Sequence, residues 1–356
     1  MQAALINEKR PSSAIRRAAT ILLLAFGCIV VFAGFLAPYD PAAQSRRSIS
    51  APPSTIHFRG TDGNIGRPFI YQRRLVDPLM LRYEETETRQ YPVGFFVQGD
   101  AYHLLGLIQT RTHLFGVVGD DPEAPRLNLL GTDELGRDRF SRLLLAVRFS
   151  LLVCPIGAAL ACLIGVFVGL ASGYANRTID TALMGVADSM LALPTLILIL
   201  AARAAFPLEL PPSRAAMLLI LIFALTGWAP MARLTRGVVR SLKQKDFVLA
   251  ARSIGLGEAR VLFRHILPNA APVLITQALI MLPSFLLAEV ALSYLGVGVQ
   301  EPEPSLGNML AAAGDITQLA RQPLLLLSPA IVIFIFVLAV RTIVPETSEG
   351  RDSTVR

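Results

Sequence analysis

Charge is scarce in this sequence. Asp, Glu, Lys and Arg make up 17% of its 356 residues, where a soluble domain carries about a quarter. Hydrophobic residues reach 53%, and the mean hydropathy is +0.54. That balance excludes a single soluble core and points to a membrane protein. Cysteine is scarce too. Cys28, Cys154 and Cys162 all fall inside apolar runs, with no Cys-x-x-Cys pair, so they read as small core residues and not as a disulfide or redox framework. The histidines His57, His103, His113 and His265 are scattered without metal-ligand spacing. There is no G-x-x-x-x-G-K-[ST] phosphate loop and no G-x-S-x-G elbow. No catalytic residue, metal or cofactor is therefore expected on this chain. The net charge of +7 is better explained by cytoplasmic Arg and Lys of a membrane protein than by nucleic acid.

What is abundant is long apolar sequence. A helix needs about 20 mostly apolar residues to cross the hydrocarbon core. Six segments approach or meet that length: 18–38, 149–173, 180–206, 214–232, 272–297 and 323–344. The first is too long for a signal-peptide core and has no small-residue cleavage site after it, so it reads as an uncleaved span. Arg16 and Arg17 precede it, with Lys9 and Arg10. A dense basic group, from Arg233 to Arg264 and including Lys243 and Lys245, separates the fourth and fifth spans, while the short loop 207–213 has no basic residue. The excess of Lys and Arg on one side places both termini and the basic loop in the cytoplasm. The domain boundaries follow: a cytoplasmic N-terminus and first span over 1–40, an extracytoplasmic insert over 41–130, an interfacial helix over 131–148, a core of five spans over 149–344, and a cytoplasmic tail over 345–356.

The insert is rich in Pro, Arg, Asp and Glu. Val93, Phe95 and Val97, then Gly99–Asp100, then Tyr102 and Leu104 predict a β-hairpin, and Leu105–Val118 another strand pair. A small β-rich domain is expected, either a brace on the outer face or a docking surface. After it, Asp138 is placed to cap a helix. Phe140, Leu143, Leu144 and Val147 recur at helical spacing, which predicts an amphipathic helix lying at the interface before the second span.

The basic loop carries more than a connection needs. About forty residues separate Arg233 from Pro272, where a bare connector needs only a few. Phe247, Ala250, Ala251 and Ile254 share one face of a short helix that Asp246 is placed to cap. Gly255 and Gly257 break it, and a second short helix runs from Glu258 to Ile266, with Val261, Leu262 and His265 as its apolar stripe. Pro268 and Pro272 bound its exit into the fifth span. Small residues at the centre let another backbone approach, and Arg260 and Arg264 can pair with carboxylates on a partner.

This loop closely resembles the coupling loop of binding-protein-dependent ABC importer permeases, which reads E-A-A, three residues, Gly, then a downstream I-L-P. Ala250, Ala251, Gly255, Ile266, Leu267 and Pro268 match, and Leu249 stands where many members have Glu. GTDELGRDRFSRLLLAVRFSL (131–151) and AEVALSYLGVGVQEPEPSLGNML (288–310) resemble signatures of the dipeptide and oligopeptide branch, of the DppC/OppC type. The long 41–130 insert and the tail after Ala339 depart from it. The resemblance implies an all-α polytopic membrane protein, a type I ABC importer permease with six transmembrane helices, carrying a small β-rich extracytoplasmic insert. It implies a bacterial inner-membrane protein that pairs with a sister permease as a heterodimer, with two cytoplasmic ATP-binding subunits that hold the ATP and Mg, and with an extracytoplasmic solute-binding protein. It implies that Asp246, Ala250, Ala251, Gly255, Gly257, Arg260, Arg264, Leu267 and Pro268 form the ATPase contact. Peptides are the expected cargo, with nickel chelates or another small solute as alternatives. An ion-coupled secondary transporter predicts internal repeats and paired midplane charges, and neither stands out.

Asp188 and Glu289 lie within or at the edge of apolar spans, where a charge costs at least about 2.5–3.5 kcal/mol. They are candidates for the translocation path or for helix packing. Pro194 is expected to kink the third span and Pro283 the fifth.

Overall fold

A computed structural model describes residues 12–59, 65–104, 108–119, 121, 124–314, 319–320 and 322–344. The tail 345–356 and Lys9 and Arg10 lie outside the described residues.

Helix α1 (Ser13–Leu36) starts at Ser12, whose hydroxyl accepts from the Ile15 amide. Its buried residues, Ala19, Phe26, Ala33 and Gly34, form one narrow seam, and the rest of this apolar helix faces outward, as a lipid-facing span does. The seam lies against α2 (Arg139–Tyr174) and α11 (Ser328–Ile343), with Phe26 edge-on to Phe336 at 5.5 Å.

The expected interfacial helix over 131–148 is not a separate element. α2 runs unbroken for 36 residues through it and through the second span. Nothing between Phe140 and Leu152 stops a helix: there is no Gly, and the single Pro of α2 is Pro155, deep inside it. Asp138 is the cap that its sequence position suggests. It accepts from the Ser141 amide at 2.8 Å and from Asn128 Nδ2 at 2.9 Å.

The third span is broken. α3 (Arg177–Leu191) and α4 (Thr195–Ala204) meet at 87° across Ala192–Pro194. This is far more than a kink, because Pro194 has no N–H to donate and bars a helical Leu193. Arg203, 1% exposed, folds back onto the carbonyls of Phe206, Pro207 and Leu208 at 3.0–3.2 Å and closes the end of α4. α5 (Pro212–Leu242) continues ten residues past the expected end of the fourth span at 232. Then come α6 (Asp246–Ser253), α7 (Glu258–Val261), α8 (Leu267–Tyr294), α9 (Leu306–Ala311) and α10 (Pro323–Leu326). Pro283 lies within α8. Among the described residues four helices are long and apolar enough to cross a membrane, and the α3–α4 pair, bent by 87°, counts as a fifth only when taken together as one span. The sixth expected span is divided between α10 and the 16-residue α11, separated by Leu327.

The most extensive helix contact is α2 against α5. Gly157, Ala161, Gly165, Gly169 and Gly173 recur every four residues along one face of α2, all buried. A Cβ at Gly165 would come within 2.6 Å of the Trp228 carbonyl oxygen, and one at Gly169 within 2.5 Å of the Ala232 carbonyl oxygen. Only glycine allows backbones so close, and such small-residue seams are how helices pack where lipid supplies no hydrophobic drive. Cys154 lies in the same core and Cys162 at its edge, as free thiols.

The insert is a four-stranded antiparallel meander in the order β1 (His57–Arg59), β2 (Ile65–Asp77), β3 (Arg82–Leu104), β4 (Ile108–Val117). The hairpin expected at Gly99–Asp100 is not there. β3 runs straight through, pairing with β2 in its first half and β4 in its second, and 105–107 lie outside the described residues. Gly99 and Asp100 sit in a bulge between Gln98 and Tyr102, where the buried His113 ring packs on Gly99 and its Nε2 contacts the Asp100 carbonyl at 2.9 Å. The sheet joins the helices directly, with His113 Nδ1 3.1 Å from the Gly34 carbonyl and the Phe115 ring 5.8 Å from that of Phe140, and through loops at its base. Ser50 N–H donates to Asp133 O, Ser54 N–H to Asn128 O, and Leu127 N–H to the Tyr39 hydroxyl.

Candidate functional site

The region around Gly255 has a small core of its own. Val239, Val248, Ala251, Val261 and Ile266 are buried together, with Leu170, Tyr174, Leu242, Leu256 and Leu262 packed around them. This core fixes α6 and α7 to the ends of α2 and α5. Lys243 adds to it, with Nζ donating to the Gly173 carbonyl at 3.2 Å and lying 4.2 Å from the Tyr174 ring centroid. Burial pulls the Lys243 ammonium below its ordinary range, and Arg252 adds repulsion in the same direction.

The expected helix–turn–helix is present, with corrections to its cap, its faces and its exit. Asp246 is the first residue of α6 and does not cap it. The cap position is Lys245, which makes no side-chain bond. The inward face of α6 is Val248 and Ala251, while Phe247, Ala250 and Ile254 lie together on the exposed side, with Ile254 77% exposed. An eight-residue helix that continues the chain's own packing on one side presents an uncovered apolar stripe on the other.

Gly255 ends α6 at φ +84°, and a Cβ added there would meet nothing within 4 Å. Glycine is required by the backbone and not by crowding. Gly257 has ordinary angles and starts α7. Arg252 reaches across the turn, with Nη2 donating to Glu258 Oε2 at 2.9 Å and Nε 2.9 Å from Oε1 without hydrogen-bond geometry. The second helix does not stop at Pro268. A π turn over Leu262–Ile266, in which Leu267 N–H donates to Leu262 O, leads directly into α8. The wider turn makes room for Pro268, which cannot donate and whose ring would crowd a normal α turn. Pro272 likewise lies inside α8. Arg260, Arg264 and Pro268 are exposed, and Leu267 is half-buried.

The two membrane carboxylates have different settings. Glu289 is fully buried on α8. Ser150 Oγ donates to its Oε2 at 2.7 Å and Ser293 Oγ to its Oε1 at 2.8 Å, which ties α8 to α2. Asp188 is half-exposed on α3 and lies 3.2 Å from Arg233 Nη1.

Two turns earlier on α3 is a residue that sequence reasoning missed. Asp180, 4% exposed, accepts from Ser172 Oγ, from Arg236 through Nε and Nη2, and from Arg240 Nη2, all at 2.5–2.7 Å. The available signal was the spacing. Asp180 and Asp188 repeat along one face of α3, and Arg233, Arg236 and Arg240 along one face of α5. Removing one partner of a buried ion pair costs about 3–5 kcal/mol, whereas exposed pairs contribute about 0–1 kcal/mol. Arg236 and Arg240 are 28% and 44% exposed and can turn to solvent once the carboxylate is gone, so Asp180→Ala is expected to destabilise the chain by about 1–3 kcal/mol, and Asp188→Ala by under about 1 kcal/mol. Unfolding in mixed micelles monitored by circular dichroism checks the contrast, and equal losses would contradict it.

Residues 165–345 match the family described as "Binding-protein-dependent transport system inner membrane component". The chain belongs to that family. The matched stretch holds α3 to α11, the Gly255 turn and the Asp180 cluster. Named relatives of this family member include the oligopeptide transport system permease protein OppC of Bacillus subtilis (strain 168), 36% identical over 200 residues, covering 56% of this chain and 63% of that protein. Another is the di/tripeptide transport system permease protein DppC of Pseudomonas aeruginosa (strain UCBPP-PA14), 38% identical over 212 residues, covering 60% of this chain and 67% of that protein. Among solved structures, a chain of an inward-facing MetNI methionine ABC transporter covers 57% of this chain and 94% of its own at 18% identity, with a TM-score of 0.45, too low to add weight.

Proposed function

We propose that the chain is the permease subunit of an ATP-driven importer of short peptides, and that the α6–Gly255–α7 element is where a cytoplasmic ATPase docks. The observation that carries this is the uncovered apolar stripe of Phe247, Ala250 and Ile254, joined by Phe263 at 66% exposure, on an element whose other face is packed onto α2 and α5. Exposed apolar groups of this kind, rimmed by Arg260 and Arg264, mark an interaction surface. Its attachment to the ends of α2 and α5 supplies the route by which movement of a partner reaches the spans. ATP and Mg then belong to the partner subunits, the sister permease completes the pore, and both termini lie on the ATPase side. Peptide cargo is supported by the printed names of the OppC and DppC relatives.

The test is reconstitution. The chain is placed in proteoliposomes with a sister permease, two ATPase subunits and a solute-binding protein, and labelled dipeptide is followed. Accumulation that requires ATP supports the reading. Accumulation driven by a proton gradient without ATP overturns it in favour of a secondary transporter.

The sheet is the proposed docking surface for the solute-binding protein. Residues 38–54 and 124–138 are bound into the base of the helices, so deleting 57–117 removes the sheet, with its contacts to Gly34, Phe35 and Phe140, and keeps those loops. That deletion is expected to lower uptake at limiting binding-protein concentration at least fivefold and to leave membrane insertion intact. Unchanged uptake would make the sheet a brace.

A further inference from the structure

At the opposite end of α2 from the Gly255 turn, the start of the helix carries three arginines within one cavity. Two of them are spent. Arg137 donates to Asp133 at 2.7 Å and to Glu301, and Arg142 holds both oxygens of Glu301 at 2.9 and 3.1 Å and the carbonyls of Pro41 and Pro302 at 3.2 Å. The third, Arg139, differs. It is 5% exposed, and its Nη1 is buried with no hydrogen-bond partner among the described residues. A buried guanidinium donor left unmade is costly, and Arg139 lines a cavity of about 310 Å³. The remaining wall is mostly apolar, with Leu135, Met309, Ala312 and Leu326.

We propose that this cavity binds an oxyanion attached to an apolar group, with Arg139 as the donor that receives it. A guanidinium is a planar fork that matches a carboxylate or a phosphate ester through charge-assisted bonds. Asp133, Glu134 and Glu301 formally balance the three arginines, so the attraction comes from the unspent donor, whose bond is stronger where water is scarce, and not from excess positive charge. The apolar wall selects ligands that bring a hydrocarbon portion with them. The same chemistry is offered by the free carboxylate of a short peptide and by the phosphate of an anionic lipid. The site does not rest on the transport reading, because it lies away from the coupling element and is measured without ATPases.

The test uses the purified full-length chain in phosphatidylcholine nanodiscs. One arm titrates N-acetyl-leucyl-alanine as the free acid and as its amide, by calorimetry. The other arm replaces part of the lipid with phosphatidylglycerol and counts retained lipid by native mass spectrometry. Either the acid binds and the amide does not, which identifies a carboxylate ligand, or phosphatidylglycerol is retained over phosphatidylcholine, which identifies a lipid. In the arm that binds, Arg139→Gln is expected to weaken the interaction at least tenfold and Arg139→Lys to keep part of it. Ala312→Trp fills the cavity while leaving the guanidinium in place, so it carries the test should Arg139→Gln not fold. Binding in neither arm overturns the proposal, as does binding that both variants leave unchanged. Asp315, outside the described residues, is the control for a carboxylate of the chain itself, and probe binding that appears only in Asp315→Asn also overturns it.

Discussion

Gly255→Asp is expected to abolish ATP-dependent uptake while the chain still inserts and folds. Two effects add at this position. The left-handed φ of +84° costs a non-glycine residue roughly 1 kcal/mol or more. The added carboxylate points into open space beside the exposed side of α6, where the proposed partner docks. The local core of Val248, Ala251, Val261 and Ile266 is not touched by the new side chain, which is why insertion survives. Gly255→Ala carries the backbone cost without the charge and is expected to retain part of the uptake. The readouts are dipeptide accumulation, co-purification of the ATPase subunits and size-exclusion behaviour of the permease alone. Normal uptake by Gly255→Asp would sink the docking role of this turn.

Gly169→Leu is expected to have the largest effect on folding. The new Cβ alone would sit 2.5 Å from the Ala232 carbonyl oxygen and 2.5 Å from Thr235 Cβ. Backbone cannot swing aside as a flexible side chain can, so α2 and α5 must separate. Overpacking costs about 1–3 kcal/mol and occasionally more, and here the displaced contact is the largest in the molecule. A loss of at least about 3 kcal/mol and low accumulation in cells are expected. Gly237→Leu serves as the control, because nothing lies within 4 Å of a Cβ there. Equal expression and equal unfolding midpoints for the two variants would contradict the seam.

Four of the six expected spans, those in α1, α2, α5 and α8, were legible because lipid imposes a length that apolar runs either meet or miss. The turn at Gly255 was legible because glycine is punctuation wherever it ends a short helical stripe. Much of the rest depends on partners distant in sequence. Nothing near Asp180 announces Arg236 and Arg240, which are 56 and 60 residues away and become neighbours only when α3 folds against α5. The glycines of α2 sit in an apolar run that reads as a span whatever they pack against. β2 escaped notice because Arg67, Gln72, Arg73 and Arg74 hide its alternation. The Gly99–Asp100 pair looks like a turn, and it becomes a bulge because His113 on the neighbouring strand fills the space beside Gly99. The interfacial helix drawn before the second span is the first part of α2, because the stripe of Phe140, Leu143, Leu144 and Val147 leads into the apolar run with no Gly or Pro before Pro155 to end the helix.

α2 is one uninterrupted rod. At about 1.5 Å per residue its 36 residues measure about 54 Å, well beyond a hydrocarbon core of about 30 Å. It begins beside Glu301 and the base of the sheet and ends against Lys243 and the α6 core. α5 is clasped along its glycine face, and the interior prolines Pro155 of α2 and Pro230 of α5 are the two places where the pair lacks a ladder hydrogen bond. Over that length a tilt of a few degrees about the Tyr174 end corresponds to a displacement of several ångströms at the Arg139 end, less whatever the helix absorbs at Pro155.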